Sequence, residues 1–412
     1  HPTLGRLDVV EISREVLSLA PLFARARGVN PLQDPRVRVF VDDGRHHMLV
    51  HAERYDVITA EPPPPNHAGV VNLYSREFYR LAASRLAPGG VITQWLPVFE
   101  LSNAEVRAMI AAFVAELKHT ALLYGYRQHL ILIGSQSPLA IDPARALREG
   151  RDPGVARNLQ RSGIGDLDDV LGSVLETDAE LRRDARGSMP VTDDRPSIQY
   201  PYENVREDTA YTTGLSRDPN HAFVLLAQGA DPATRTRIES AYAATVAAIA
   251  ALPDLLPQAS ESSELALGTT LTSALHARPG NAGLWYLLSL DPDRVRAAEA
   301  SLRTAGAPDP DAAWTLARHA FYAGDYAQAL ERLGKLQPDA EDRALHALLR
   351  AGCLRALGQP SQSAEAFREA AAASHDARFK AVAAQLADQA AAPFPTDAGP
   401  WTLPATPARV AP

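Results

Sequence analysis

The chain has 412 residues, enough for two or three domains with a buried core. Its 46% hydrophobic and 22% charged residues are ordinary for a globular protein, and a net charge of −8 with no basic stripe argues against a non-specific nucleic-acid binder. A single cysteine, Cys353, excludes an internal disulfide framework and a cysteine metal cluster, and no apolar run approaches the roughly 20 residues that span a bilayer. No signal peptide is visible, and the chain opens at His1 directly into a strand-like pattern, as a fragment of a longer protein would.

In chain order, Arg6–Ile12 reads as a strand. Ser13–Ala26 reads as a helix, with Val16, Leu19, Ala20 and Phe23 on one face and Ser13 as N-cap. Val37–Asp43 is a second strand and Tyr55–Glu61 a third, rich in β-branched residues. The prolines Pro62 to Pro65 cannot donate ladder hydrogen bonds, so the third strand ends there and the chain leaves as a stiff extended segment. Ser75–Leu86 is a helix closed by Pro88-Gly89-Gly90, Val91–Pro97 a fourth strand, and Ser102–Leu117 a capped amphipathic helix. The stretch beginning at Thr120 and the stretch His129–Ser135 close the series as a strand pair. Strands alternating with helices predict a mostly parallel sheet covered on both faces, with one antiparallel strand at the end.

The expected division is an α/β domain over 1–137, a polar extension of short helices over 138–205 ending in "TDDRP" (Thr192–Pro196), and a linker over 206–219. An α-helical domain follows over 220–390, then a disordered Pro-rich tail over 391–412. "TDDRP" reads as a capped turn with a local Asp–Arg pair in preference to a lid strap over the sheet. Within the helical domain, Gly324 aligns with Gly358 and Leu333 with Phe367, a spacing of 34 residues that resembles tetratricopeptide repeats, and a looser copy begins near Trp285. Such repeats predict a protein partner on a stacked helical surface. Cys353 lies in an apolar helical pattern and reads as a buried small hydrophobe.

Polar residues recur where the predicted strands end: Glu11 after the first, Asp42-Asp43-Gly44 after the second, Glu61 after the third and Gln94 within the fourth. In open α/β sheets ligands bind at these ends. A carboxylate in the position of Glu11 can accept both ribose hydroxyls of a nucleotide, and Asp43 beside Gly44 can accept from an adenine amino group. Glu61 can hold a cationic amine, take its proton and favour a nearby sulfonium. His46, His47 and His51 cluster without metal-ligand spacing, so no metal is expected; His67, beyond the prolines, is kept as a pocket residue.

The set "LDVVEIS", "VRVFVDDGR", "YDVITAEPPPP", "NLYSREFY", "PGGVITQWLP" and "TDDRPSIQY" resembles the spermidine synthase family, and most of all its bacterial members fused to membrane segments. The resemblance covers about residues 4 to 202. It implies a class I S-adenosylmethionine-methyltransferase-like (Rossmann-like) fold without the first strand and glycine-rich loop. It also implies transfer of an aminopropyl group from decarboxylated S-adenosylmethionine to an amine such as putrescine. By position it assigns Glu11, Asp42, Asp43 and Gly44 to the nucleotide, Glu61 and Tyr79 to catalysis, and Gln94, His67 and Tyr74 to the amine side. It further implies a cytoplasmic place, at the inner-membrane face if membrane segments precede His1. The family's Asp-Ser/Thr-Ser/Thr-Asp-Pro stretch is replaced here by Glu61-Pro62-Pro63-Pro64. A carboxylate moved by about 1 Å can cost on the order of a hundredfold in rate. Because Glu61-Pro62-Pro63 also stands where amino-group methyltransferases carry Asp/Asn-Pro-Pro, transfer of a methyl group from S-adenosylmethionine stays open. So does a non-catalytic scaffold.

Overall fold

The computed structural model describes residues 3–27, 30–67, 69–98, 101–125, 129–161, 164–199, 210–213, 215, 220, 223, 225, 231–255, 261–304, 309–339, 342–392 and 401. Two compact units emerge, residues 1–155 with 174–229, and residues 156–173 with 230–412.

The first unit alternates strand and helix as the pattern demands: β1 (Leu7–Glu11), α1 (Arg14–Arg27), β2 (Val37–Val41), α2 (Gly44–Val50), β3 (Tyr55–Ala60), a 3-10 turn (Val70–Tyr74), α3 (Arg76–Ser84), β4 (Leu86–Pro97), α4 (Asn103–Glu116), β5 (His119–Tyr124) and β6 (His129–Ser135). The short helices α5 (Pro143–Gly150) and α6 (Pro153–Arg161) follow, then α7 (Leu167–Gly172), β7 (Val174–Thr177), α8 (Asp178–Asp184) and α9 (Ala210–Thr213). α6 continues into the second unit and α7 lies wholly within it.

β1 and β2 pair in parallel from Leu7↔Val37 to Glu11↔Val41. A second sheet has the order β3-β4-β6-β5-β7, with β3 parallel to β4 and β6 antiparallel to both β4 and β5. This is a Rossmann-like α/β arrangement. Among the described residues, no ladder joins β1 to β3. Side chains span the interval instead: the Tyr55 hydroxyl donates to Asp8 Oδ2 at 3.1 Å, and Arg6 lies over the Tyr55 ring at 5.8 Å.

The core sits on the five-stranded sheet. Ile92, Leu96, Leu122, Leu130 and Leu132 are fully buried, as are Met109, Ile110, Ala112 and Phe113 of α4, and a Cβ at Gly134 of β6 would meet the Phe113 ring. Ser102 starts α4 with a reciprocal capping box, its side chain accepting from Glu105 N while the Glu105 carboxylate accepts from Ser102 N.

Four local expectations are corrected. A helix, α2, follows β2 directly, because the Asp43 side chain accepts from His46 N at 2.8 Å and starts a helical turn where sequence reading saw only a strand end. Pro88-Gly89-Gly90 does not close α3 from outside the sheet but lies within β4, which begins at Leu86; Gly89, at φ 78, carries the irregularity. The extension is not purely helical, since β7 pairs antiparallel with β5 through Ala121↔Thr177 and Leu122↔Glu176. Residues 156–173 fall in the second unit, where Arg278 binds Asp169 and Asp166 at 3.0 and 2.6 Å and Arg237 binds Asp168 at 2.9 Å. Most of the expected linker lies outside the described residues; within it α9 forms, and the Tyr211 hydroxyl donates to Asp184 at 2.6 Å.

Among the described residues, the other regular elements of the second unit are helices: α10 (Pro232–Leu255), α11 (Glu261–Ala277), α12 (Ala282–Leu287), α13 (Pro292–Thr304), α14 (Pro310–Tyr322), α15 (Tyr326–Leu333), α16 (Arg343–Ala356), α17 (Pro360–Ala373) and α18 (Ala377–Asp388). The pairs α14/α15 and α16/α17 correspond position by position at the 34-residue spacing. Gly324 and Gly358 both take left-handed φ, 82° and 71°, just past the helix ends. Ala329 and Ser363, and Leu333 and Phe367, are all fully buried. Cys353 is buried and unpaired, and burial pushes its thiol up to about 12, which fits a packing role.

The expectation of a disordered tail fails at one residue. Trp401 is 3% exposed, stacks on Phe321 at 5.2 Å and meets Phe367 edge-on at 6.4 Å. The tail's other residues beyond 392 lie outside those described. Among the described residues no helix is long and apolar enough to cross a membrane.

Candidate functional site

Glu11, Asp43 and Glu61 each stand at or just past the end of a strand of the first unit, the first two on the paired strands β1 and β2 and the third after β3 of the larger sheet. The β1–β2 ladder sets Glu11 beside Val41, and Asp42 N donates to the Glu11 carbonyl at 3.2 Å. From the start of α2, Arg45 reaches across to the Asn72 carbonyl at 3.2 Å. Asn72 belongs to the 3-10 turn that ends at Tyr74, whose hydroxyl donates to the carbonyls of Pro62 and Pro63 at 3.4 and 3.2 Å. Those prolines directly follow Glu61. A continuous path of short contacts thus links Glu11, Asp43 and Glu61.

Each carboxylate keeps part of its bonding capacity. Glu11 Oε1 accepts from Ser13 N at 2.8 Å, which starts α1 and leaves Oε2 without a partner among the described residues. Asp43 Oδ1 caps α2, and its other oxygen likewise has none. Asp42 accepts from His46 Nδ1 at 2.9 Å, a bond that holds its carboxyl below the usual range. Asp42 is therefore occupied within its own turn, and Asp43 is the better placed of the two for a ligand. Glu61 is exposed and has no partner among the described residues.

The residues expected on the amine side, with Tyr79, separate into two layers. Tyr74, Tyr79 and Gln94 are fully buried. Gln94 stands opposite Ala60 in the β3–β4 register, one residue short of Glu61; its Nε2 donates to the Trp95 carbonyl at 3.2 Å, and its Oε1 has no partner among the described residues. The Tyr79 hydroxyl likewise has none, and its ring lies edge-on to Phe113 at 4.9 Å. Burial raises both tyrosines, the Glu61 charge adding to the effect on Tyr74 and Tyr74 to that on Tyr79. Both are neutral donors near pH 7, so neither acts as a base. His67 is exposed, its Nδ1 3.0 Å from the Pro64 carbonyl. It borders the proline segment on the solvent side, apart from the buried layer.

Sequence reading missed Arg45, Asn66 and Asp193. Arg45 forms a two-pronged pair with Asp193 at 2.8 and 2.5 Å, and Asp193 N donates to Glu77 Oε2 at 3.0 Å. The "TDDRP" segment contains the anticipated turn, with Thr192 and Arg195 bridging, but its Asp193 pairs with Arg45 across 148 positions. Only the charge alternation of "DDGR" and "TDDR" hinted at such a pairing. Asn66, in the turn after the prolines, keeps a buried side-chain oxygen without a partner among the described residues. His47, grouped by sequence with His46 and His51, is 3% exposed in α2 and lies 4.6 Å from the Phe40 ring.

Residues 1–119 match the family model described as the spermine/spermidine synthase domain. Among curated proteins, a polyamine aminopropyltransferase of Corynebacterium efficiens is 38% identical over 88 residues, 21% of this chain and 17% of that protein. One from Aeropyrum pernix is 31% identical over 128 residues, 30% of this chain and 40% of its own length. One from Bacillus subtilis is 29% identical over 154 residues, 35% of this chain and 55% of its own. The chain thus spans from under a fifth to about half the length of these relatives.

Proposed function

Taking residues 1–119 as a domain of the spermine/spermidine synthase family, we propose that the first unit transfers an aminopropyl group from decarboxylated S-adenosylmethionine to an amine such as putrescine. In this reading Glu11 accepts from the ribose hydroxyls, Asp43 from the adenine amino group, and Glu61 holds the acceptor amine. The amine nitrogen attacks the propyl carbon bound to the sulfonium. The C–N bond forms as the C–S bond breaks, the electron pair goes to sulfur to give methylthioadenosine, and the amine proton passes to Glu61 or water. Tyr74 and Tyr79 support the site from beneath, Tyr74 by fixing the proline segment. The observation that supports the reading is that Glu11, Asp43 and Glu61 each stand at or just past a strand end and each keep an uncommitted carboxylate oxygen among the described residues. The second unit, with its 34-residue correspondence, is proposed as a protein-binding partner domain.

The full chain incubated with decarboxylated S-adenosylmethionine and putrescine is expected to release methylthioadenosine, measured by liquid chromatography. Glu61→Gln should slow release by about a hundredfold. S-adenosylhomocysteine from S-adenosylmethionine, with no methylthioadenosine, would replace the proposal by methyl transfer. Neither product, with no methylthioadenosine binding by calorimetry, would leave the scaffold.

A further inference from the structure

The helical unit holds two features that packing alone leaves unexplained. The first is the seat of Trp401. A Cβ at Gly268 in α11 would stand 2.4 Å from the indole Nε1, and one at Gly352 in α16 would stand 2.9 Å from its Cη2. Two helices therefore lack side chains where the indole enters, and Phe321 and Phe367 complete the walls. An aromatic residue from a stretch whose sequence is rich in proline fills a place shaped for it.

The second feature is Arg355, one turn beyond Gly352 on the same side of α16. It is 4% exposed, yet Nε, Nη1 and Nη2 all lack a hydrogen-bond partner among the described residues. A guanidinium offers five donors in a planar fork matched to a carboxylate, and an unpaired buried charge is expensive. Burial alone pulls Arg355 below its ordinary value. By contrast Arg318, also buried, meets Glu264 at 2.7 Å, so this unit pairs buried arginines where no ligand is awaited. The tail sequence that carries Trp401 also carries an acid, Asp397, four positions earlier.

We infer that the helical unit is a receptor for an extended peptide bearing an indole and a carboxylate. Arg355 is the carboxylate-binding residue, and the chain's own Trp401 is the tethered occupant of the indole seat. A peptide of the same chemistry from another protein must displace the tail. Tethering sets the local concentration of the competitor near the millimolar range.

The test uses the full chain and a fluorescein-labelled synthetic peptide of residues 394–404 (FPTDAGPWTLP), read by fluorescence anisotropy. Trp401→Ala should bind the peptide at least about tenfold more tightly than the unaltered chain, because the competitor is gone. Adding Arg355→Gln should weaken binding about tenfold or more. A peptide with Asn in place of Asp397 should lose a similar factor against the chain that keeps Arg355. It should lose little against the chain carrying Arg355→Gln, which separates carboxylate recognition from general packing. Without peptide, Arg355→Met should raise the melting temperature, since it removes an unpaired buried charge; a purely structural arginine would give a fall. Should Trp401→Ala not fold, Trp401→Phe keeps a ring in the seat and should show intermediate binding with the same dependence on Arg355. Equal binding by the unaltered and Trp401-substituted chains, no binding by either, or indifference to Arg355 overturns the inference.

Discussion

The β1–β2 ribbon and the β3–β7 sheet share one unit but are supported differently. In the sheet, Ile92, Leu96, Leu122 and Leu132 are fully buried, and the polar side chains Tyr79 and Gln94 are sealed in with them. In the ribbon, Leu7, Val39 and Val41 are 39–41% exposed, and a two-stranded sheet is marginal by itself. The ribbon is held by polar ties: Asp8 to Tyr55 and Arg38, and Arg45 to Asn72 and Asp193. The groups proposed for the amine therefore stand on dense packing, while the carboxylates proposed for the nucleotide stand on a thin element secured by charge.

The sharpest way to break this contrast is to empty each core in turn. Phe113→Ala should destabilise the unit by about 3–5 kcal/mol. Val39→Ala should change it by no more than about 0.5 kcal/mol. Urea denaturation measures both, and similar losses would show that the ribbon is as well supported as the sheet. A smaller effect should follow from Arg45→Met. Its pair with Asp193 is partly exposed, so the loss should be about 1 kcal/mol. Because Arg45 fixes the start of α2 and hence Asp43, methylthioadenosine affinity should fall by a similar amount in calorimetry.

The smallest effect is the response to acid. Arg38 holds Asp8 below the usual carboxylate range, and Arg45 does the same for Asp193. A depressed carboxyl contributes stability above its unfolded value, about 3.9, and the contribution is lost as pH falls through the lower folded value. Amide exchange in β1 and β2 should therefore accelerate below about pH 4 before exchange in β4 to β6 does. Simultaneous acceleration would unite the two regions.

Much of the first unit was legible in the sequence because period and punctuation agreed. His129–Ser135 alternates and is strand β6, and Ser102 with Glu105 announced α4. The strand-end acids were legible as a set because each follows an apolar run. What escaped depended on distance along the chain. Asp43 reads alike as a ligand-binding acid and as a helix cap, and only coordinates show that one of its oxygens does the second job. The pairing of Arg45 with Asp193 spans 148 positions and leaves no local trace beyond the charge alternation of the two segments. Trp401 escaped because the composition around it is that of a disordered tail, while its seat is written in two glycines, Gly268 and Gly352, far from it and from each other.

The Tyr74 hydroxyl has a mechanical consequence. Its single proton is shared between two proline carbonyls, and the next residue, Ser75, is the N-cap of α3. One hydroxyl therefore pins the proline segment after Glu61 to the residue that precedes the cap of α3, and Tyr74→Phe would remove both hydrogen bonds at once while leaving the ring in place.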